Sequence, residues 1–382
     1  MKKLAIITTH PIQYQIPLFK ILKKFGIEAY VFFASRHGMS LKNKDPEFLK
    51  KIKWNNEKYS LSGYRSFFSK NQKRNIDDFK LSFDEIENKL KKEKFEHILI
   101  LGWNNLHYLK SFYYALKLNI KIILRVETNL KSQVNILKKI IKFIFLRFLF
   151  KNITYFLSIG KLNRQFYLSH NIHQKKIFPA PYFVDNKFFS LKITKNNIKK
   201  KFKLEDKKII LFVGKLIDRK NPIEFLKLAK QYQTKAKYHF IIIGDGYLKK
   251  DCKNFIKKNR LKNVSLKGFV NQRELRKYYK MSDLMIVTSL YETWGLVINE
   301  AFCFHVPVIC TSKCGAAKDL IINGKTGYTY KSGNLNQLKN RLKSILNDKK
   351  LRKKMSLNIK NHIKKYSIVK TVESLLKIFD EK

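Results

Sequence analysis

The stretch 209–222, IILFVGKLIDRKNP, joins a run of apolar residues to a glycine and then to a loop rich in cations. The run Ile209–Val213 is short and uninterrupted, as expected of a strand that is buried on both faces of a parallel sheet. A helical pattern follows from Ile223. The stretch therefore predicts a strand, a loop and a helix, the repeating unit of an α/β fold.

The same alternation extends over the whole chain in two series. The predicted strands of the first series are Leu4–Thr8, Ala29–Phe33, His97–Leu101, Lys121–Val126 and Tyr155–Ile159. Those of the second series are Ile209–Val213, His239–Ile243, Val264–Lys267, Leu284–Thr288 and Val308–Cys310. Between the two series lies the lysine-dense segment 187–208, which we interpret as a linker. The expected fold class is α/β, with two Rossmann-like parallel-sheet domains facing a central cleft.

The chain is strongly basic. Its 382 residues include 81 Lys and Arg against 28 Asp and Glu, a formal net charge of +53. A hydrophobic content of 45% excludes a disordered basic tail. A field of this sign attracts nucleic acid, anionic lipid or phosphate-bearing substrates, and only motifs can separate those partners.

Cysteine usage and apolar run lengths indicate the compartment. The four cysteines show neither a CxxC pair nor zinc spacing, which favours a reduced cytosolic environment. The first apolar run is too short for a signal peptide. No charge-free apolar stretch reaches the roughly 18 residues that a membrane span needs.

Loops at the ends of predicted strands are where ligands bind in such sheets. Gly214 would let a phosphate approach the backbone, and Lys215 and Lys220 would supply positive charge. A solvated loop explains these lysines about equally well. Gly244 and Asp245 end another strand, where a tight turn with Asp245 capping the next helix is at least as good an explanation as ligand contact.

The segment 289–301, SLYETWGLVINEA, contains two carboxylates in a chain that is short of acids. Glu300 falls on the half-buried face of a predicted helix, where an unpartnered carboxylate is costly. A vicinal diol, such as that of a ribose, would give it two hydroxyl donors. Glu292 and Glu300 would stand about 12 Å apart along a helix, which disfavours the acid and base of a hydrolase, although side-chain reach and a loop at Glu292 would shorten the separation.

These motifs occur in a recognisable order. First, one predicted strand is followed by Gly214-Lys215 and Lys220, and the next by Gly244-Asp245-Gly246. After them come the segment 266–270 (LKGFV), Tyr278, Ser282-Asp283, Glu292-x7-Glu300 and the segments 307–309 (PVI) and 323–327 (NGKTG). This order resembles that of the family-4 retaining glycosyltransferases of the GT-B fold (glycosyl transferases group 1). The resemblance covers nearly the whole second half of the chain. In the first half it rests on the segment 9–14 (THPIQY) and on the segments around Pro179 and Val184-Asp185.

The resemblance implies a role for each matching position on the donor side. Lys215 and Lys220 would hold the donor's diphosphate, and Glu300 would bind the nucleotide ribose. Glu292 would contact hydroxyls of the transferred sugar. The other implied donor contacts are the backbone amides of Gly295 and Leu296, Gly214, Gly244 and Asp245, and Gly268, Phe269 and Val270 beside the base.

The resemblance also implies a division of the chain. Residues 1–190 would form an N-terminal acceptor-binding domain and residues 191–365 a C-terminal domain that binds the nucleotide sugar. Residues 366–382 would form a helix that returns to the first domain.

The acceptor side has fewer signals. Many relatives carry a His after the strand that corresponds to Lys121–Val126, whereas this chain has Arg125-Val126-Glu127 there. Arg125 and Glu127 are therefore acceptor-side candidates, although they could instead pair with each other. His10 and Gln13, on the loop after the first strand, are the other candidates, although His10 is more readily explained as a structural turn residue.

The positive charge is concentrated in a segment without acids. Residues 128–184 contain no Asp or Glu, and within them 134–151 has a helical pattern. Asn135, Lys138, Lys139 and Lys142 form a polar strip, while Ile141, Ile144, Phe145 and Phe148 lie on another side. Such a helix could lie in the headgroup layer of an anionic membrane. A domain helix packed on the sheet is an equally good alternative.

The function predicted is retaining transfer of a sugar from a nucleotide-sugar donor to a lipid-linked or envelope glycan, such as lipopolysaccharide or capsule, in a bacterium. We expect no cofactor and no metal, since the chain has no Asp-x-Asp pair. The enzyme would be cytoplasmic and peripheral at the inner face of the cell membrane. The alternatives are a nucleic-acid-binding protein, disfavoured because no nucleic-acid-binding motif emerges, and a GT-B enzyme of other chemistry, such as a sugar-nucleotide epimerase.

Overall fold

The computed structural model describes residues 1–39, 44–45, 50–51, 61–70, 78–129 and 136–381. They divide into two compact units. Unit 1 comprises Met1–Lys44, Lys51–Tyr182 and Ile368–Lys382, and unit 2 comprises Asp45–Lys50 and Phe183–Ser367. In the part of the chain described, none of the helices is long and apolar enough to cross a bilayer.

A parallel sheet of seven strands forms the centre of unit 1. Its strands are β1 (Lys2–Thr8), β2 (Ile27–Phe33), β3 (Arg65–Phe68), β4 (His97–Ile100), β5 (Lys121–Leu124), β6 (Tyr155–Ser158) and β7 (Ile177–Pro179). They lie in the order β3-β2-β1-β4-β5-β6-β7. The strand order reverses beside β1, as in a Rossmann fold, so the loops after β1 and β4 diverge at the carboxyl edge of the sheet.

Unit 2 contains a parallel sheet of six strands. They are β8 (Lys208–Val213), β9 (Tyr238–Ile243), β10 (Val264–Gly268), β11 (Leu284–Val287), β12 (Val308–Thr311) and β13 (Gly327–Tyr330), in the order β10-β9-β8-β11-β12-β13. The reversal beside β8 brings the loops after β8 and β11 to the same edge, because these two strands are direct neighbours.

Helices connect the strands in both units. Those of unit 1 are α1 (Ile16–Leu22), α2 (Ile86–Glu93), α3 (Leu106–Lys117), α4 (Ile136–Lys151) and α5 (Lys161–Ser169). Those of unit 2 are α6 (Lys195–Lys201), α7 (Pro222–Lys230), α8 (Lys249–Lys258), α9 (Gln272–Met281), α10 (Val297–Cys303), α11 (Ala317–Leu320), α12 (Leu335–Asn347) and α13 (Lys349–His362). The last helix, α14 (Ile368–Asp380), packs against α1 and β7 of unit 1, where Lys2 forms an ion pair of 2.7 Å with Asp380.

The predicted α/β class and the ten predicted strands are confirmed. Each of the two sheets has its own apolar core, which includes Ile98 and Phe156 in unit 1 and Ile210 and Phe240 in unit 2. The sequence prediction missed β3, β7 and β13. These strands are half-exposed, short or begin with a glycine, so they lack the continuous apolar run of a central strand.

Candidate active site

Two loops of unit 2, 214–221 and 288–296, are held together by hydrogen bonds at the carboxyl ends of β8 and β11. Oγ1 of Thr288 donates to the carbonyls of Lys220 and Asn221, each at 2.8 Å. The amide of Leu290 donates to the carbonyl of Arg219 at 2.8 Å. These bonds fix the cationic loop against the loop that carries Glu292.

Glu292 is buried at the point where these loops meet. Its carboxylate accepts hydrogen bonds from Nη1 of Arg219 at 3.0 Å, from Oγ of Ser289 at 2.9 Å and from Nζ of Lys220. Burial alone would raise the pKa of the Glu292 carboxyl, but the positive charges of Lys220 and Arg219 outweigh it and lower that pKa. Glu292 is therefore an anion at neutral pH, held in one place by two cations.

Glu300 lies in the first turn of α10 and is 1% exposed. Its Oε2 accepts a hydrogen bond of 2.6 Å from the hydroxyl of Tyr279 on α9. The predicted burial of this carboxylate is thus present, and a phenol supplies a partner for one of its oxygens.

Gly295 and Leu296 directly precede α10. Gly295 has a φ of +104°, and a Cβ there would lie 2.8 Å from Sγ of Cys314. A side chain at this position would therefore strain the backbone and collide with a buried neighbour. Glycine is required here for the backbone alone, whatever its amide binds.

The glycines after β8 and β9 allow two backbones to touch. A Cβ on Gly244 would stand 1.7 Å from the carbonyl oxygen of Gly214. Asp245 is buried, and its carboxylate accepts from the amide of Gly246 at 3.0 Å and from Nζ of Lys249 at 2.9 Å. These contacts favour the tight-turn interpretation of this segment, with an ion pair to α8 in place of the expected helix cap.

The segment after β10 combines a tight turn with an exposed ring. Gly268 is buried with a φ of +73°, and its carbonyl accepts from the amide of Gly244 at 2.9 Å. Phe269 is 39% exposed and Val270 is half-buried. Lys215, the other predicted phosphate ligand, is half-buried on the loop directly after Gly214.

In unit 1, His10 follows β1 and forms an edge-to-face contact with His37, with ring centroids 5.4 Å apart. Its Nδ1 lies 2.9 Å from Oγ1 of Thr9. Burial, and then the charge of His37, lower the pKa of His10 to about 4, so its imidazole is neutral near pH 7. Gln13 is half-buried in the turn before α1.

Arg125 and Glu127 both contact Tyr182. The Arg125 guanidinium lies over the Tyr182 ring at 4.9 Å from its centroid, and the Tyr182 hydroxyl donates to Oε1 of Glu127. Burial and the nearby Glu127 raise the pKa of Tyr182 well above its ordinary value. A tyrosine that the sequence prediction did not consider thus connects the two candidates.

Helix α4 exposes the apolar side that the sequence predicted. Ile141, Ile144, Phe145 and Phe148 are 67%, 63%, 40% and 73% exposed. The opposite side holds the helix to the sheet through the fully buried Leu146. The helix is therefore both a packed domain helix and a bearer of exposed apolar surface. Val134 and Asn135 lie outside the described residues, as do the side chains of Lys138 and Lys139.

Sequence reasoning missed four side chains of this region. Arg219, Ser289, Lys249 and Tyr279 contact the predicted acids. Arg219 adjoins Lys220 and could have been selected for that reason. The spacing of Tyr279 in the sequence predicts only a buried helix face, and no other feature of the sequence marks it as a partner of an acid.

No group of three or more His, Cys, Asp and Glu side chains able to hold a metal ion occurs among the described residues.

Two Rossmann-like parallel sheets are the architecture of the GT-B fold, and in this chain the second sheet carries buried acids and cations at its carboxyl edge. The solved structures agree on the fold. The Anabaena protein Alr3699/HepE in complex with UDP has a TM-score of 0.77 at 13% identity, with 100% of both chains covered. Sucrose-phosphate synthase from Thermosynechococcus elongatus has a TM-score of 0.74 at 16% identity, covering 100% of this chain and 98% of that one.

Residues 194–362 match the family model described as glycosyl transferases group 1. Over 181 residues the chain is 31% identical to a Campylobacter jejuni α-1,4-N-acetyl-D-galactosaminyltransferase, named for GalNAc-α-(1→4)-GalNAc-α-(1→3)-diNAcBac-PP-undecaprenol, covering 46% of this chain and 49% of that protein. Over 171 residues it is 30% identical to an uncharacterized glycosyltransferase of Methanocaldococcus jannaschii, covering 45% and 47%. The chain thus spans about half the length of the curated relatives it matches.

Proposed function

We propose that this protein transfers a sugar from a nucleotide-sugar donor to a lipid-linked or envelope glycan, with retention of the anomeric configuration. The observation that carries the proposal is the buried Glu292 held by Lys220 and Arg219 within a group 1 glycosyltransferase domain. A carboxylate fixed beside two cations matches a donor that presents sugar hydroxyls next to a diphosphate.

On the donor side, Glu300 would accept hydrogen bonds from the ribose diol and Glu292 from hydroxyls of the transferred sugar. Lys220 has three N–H donors, so it can contact a phosphate oxygen while it holds Glu292. Lys215 and Arg219 add charge on the same loop. Arg219 also offers a planar guanidinium, which suits a phosphate better than an ammonium does.

In the reaction we propose, the acceptor hydroxyl attacks the anomeric carbon from the face that the diphosphate leaves. The bond from that carbon to the phosphate oxygen breaks, and the departing phosphate takes the acceptor's proton. Lys215, Lys220 and Arg219 stabilise the negative charge that develops on the diphosphate. The remaining work of the protein is to hold donor and acceptor in position.

Metal independence is part of the proposal. Cationic side chains on the 214–221 loop would balance the diphosphate charge that a divalent ion balances in other enzymes. We expect a chelator such as EDTA to leave the transfer rate within about twofold of its original value. A rate that EDTA abolishes and Mg²⁺ or Mn²⁺ restores would contradict this part of the proposal.

The acceptor proposal combines the C. jejuni relative, whose name specifies a PP-undecaprenol-linked sugar, with the surface of α4. Ile144 and Phe148 are exposed within a segment without acids. Apolar side chains flanked by cations suit the headgroup layer of an anionic membrane. We therefore place the protein at the inner face of the cell membrane, with His10, Gln13, Arg125 and Glu127 on the acceptor side.

A panel of sugar nucleotides tests the donor proposal. Thermal unfolding is measured with UDP-, GDP-, ADP- and TDP-sugars, since a ligand that binds only the folded state raises the transition temperature. We expect one nucleotide class to stabilise the chain and Glu292→Gln to reduce that shift. Stabilisation by none of them, together with tight salt-sensitive binding of nucleic acid, would overturn the proposal.

A further inference from the structure

Tyr279 donates a hydrogen bond to Glu300 and is itself completely buried. Its hydroxyl donates to Oε2 of Glu300 at 2.6 Å, a short distance that is typical of a hydrogen bond to a carboxylate. This bond joins α9 to the first turn of α10. One oxygen of Glu300 is thereby tied to a neighbouring helix.

Packing fixes the ring of Tyr279. The ring of Phe304, just after α10, is stacked with it at a centroid distance of 5.9 Å and an interplanar angle of 9°. The ring of Phe189 meets its edge at 6.5 Å and 76°. A phenol held on two sides has little rotamer freedom, so its hydroxyl is directed at one place.

The segment that opens unit 2 takes part in the same packing. Phe189 belongs to it, and Nη1 of Arg276 on α9 donates to the carbonyl of Phe188 at 2.9 Å. Sγ of Cys303 on α10 lies 3.6 Å from Oδ1 of Asn186. Both helices that position Glu300 are thus anchored to one short stretch of chain.

We propose that Tyr279 is a positioning residue that sets the Glu300 carboxylate for recognition of the ribose diol of the donor. The inference rests on the proposed function, since it requires Glu300 to contact the ribose. A carboxylate whose rotamer is already fixed binds a diol more tightly, because the hydrogen bonds do not have to offset the cost of ordering the side chain. Tyr279 removes that cost before the donor binds.

Discrimination between ribose and a sugar without the diol is the property that this arrangement controls. A ligand that lacks the 2′- and 3′-hydroxyls forms none of the hydrogen bonds that the positioned Glu300 carboxylate would accept from a ribose. Loss of the Tyr279 hydroxyl would let the carboxylate rotate away. Affinity for the ribonucleotide then falls, while affinity for the dideoxynucleotide changes little.

The experiment compares Tyr279→Phe with wild type in binding UDP and 2′,3′-dideoxy-UDP by calorimetry. We expect Tyr279→Phe to weaken UDP binding roughly tenfold and to reduce the UDP preference by a similar factor, the size typical of a hydrogen bond to a charged group. Tyr278→Phe is the matched control, since Tyr278 is a buried neighbour on the same helix whose ring packs against Phe202. It should keep the wild-type preference.

Repeating the Tyr279→Phe comparison in a Glu300→Gln background distinguishes positioning of the Glu300 carboxylate from a general loosening of the fold. There, Tyr279→Phe should have little further effect on the preference, because the two residues act as one unit. Phe304→Leu keeps the Tyr279 hydroxyl but loosens the packing of the Tyr279 ring, so it should give a smaller loss of the preference for UDP. This variant replaces Tyr279→Phe in the test if Tyr279→Phe does not fold.

The outcomes are distinguishable. A preference that stays at the wild-type value in both Tyr279→Phe and Phe304→Leu overturns the inference. The proposed function fails separately, if wild type binds neither UDP nor any of GDP, ADP and TDP. If another base binds best, its own ribo and dideoxy diphosphates replace the uridine pair.

Discussion

The carboxyl-edge loops of unit 2 and the acid-free segment of unit 1 use positive charge in opposite ways. In unit 2, Lys220 and Arg219 are held by the buried carboxylate of Glu292. In unit 1, residues 128–182 contain no acid, and the helix α4 within them exposes Ile144 and Phe148. A net charge of +53 thus covers two different local arrangements: cations paired with a buried acid in unit 2, and a stretch without acids that carries exposed apolar side chains in unit 1.

Removing the charge of Glu292 is the change with the largest expected effect on the unit 2 side of the comparison. We expect Glu292→Gln to lower the transfer rate at least roughly 100-fold, as is usual when one preorganised electrostatic contact is lost. Lys220 and Arg219 then lose the anion that positions them. Steady-state release of nucleoside diphosphate measures the effect. Glu274→Gln, an exposed acid on α9 paired with Lys277, is the control and should keep the wild-type rate.

In unit 1, the change to test is the replacement of exposed apolar side chains of α4 by polar ones. The double variant Ile144→Ser, Phe148→Ser should reduce the fraction of protein bound to anionic vesicles roughly tenfold or more, because each apolar side chain contributes about 1.5–3 kcal/mol when buried. Flotation with phosphatidylglycerol vesicles measures binding. Tyr113→Ser, at an exposed aromatic of α3, is the matched control.

Two results would contradict binding of α4 to a membrane. One is equal recovery of wild type with neutral and anionic vesicles. The other is unchanged binding of the double variant, which would assign the affinity to lysines alone.

A smaller effect is expected in the pH dependence of stability, because His10 of unit 1 and Glu292 of unit 2 lose their contributions in different pH ranges. The folded-state pKa of His10 is lowered from 6.5 to about 4, so the unfolded state binds the proton more tightly and wild-type stability falls as the pH drops from 6.5 to 4. Over this pH range the free energy of unfolding of His10→Gln should therefore fall by on the order of 1–3 kcal/mol less than that of wild type. Glu292 also has a lowered pKa, but its contribution is present above its ordinary value of 4.5 and is lost only below it.

Denaturant unfolding at pH 7, 5.5 and 4 measures the free energy of unfolding across these pH ranges. His173→Gln, at an exposed histidine, controls for the loss of an imidazole. If His10→Gln loses stability between pH 6.5 and 4 as steeply as wild type, the burial argument for His10 is wrong.

The sequence predicted the sheets well because strands buried on both faces read as unbroken apolar runs, as Ile209–Val213 does. It missed β3, whose residues Arg65–Phe68 are exposed or half-buried at the sheet edge. The acids of the site were also predictable, since a buried Glu300 is conspicuous in a chain that is poor in acids. Their partners were not, because spacing along the chain does not reveal which loop lies opposite Glu292 or that Tyr279 faces Glu300.

The central claim is that the unit 2 loops bind a nucleotide sugar through its ribose and transfer the sugar with retention. The most direct test is turnover of a sugar nucleotide by wild type and by Glu300→Ala, with an undecaprenyl diphosphate-linked sugar as acceptor and the product configuration read by NMR. We expect wild type to form a product with the donor's anomeric configuration and a folded Glu300→Ala variant to form almost none. A Glu300→Ala variant that works at the wild-type rate, or a product of inverted configuration, would contradict it.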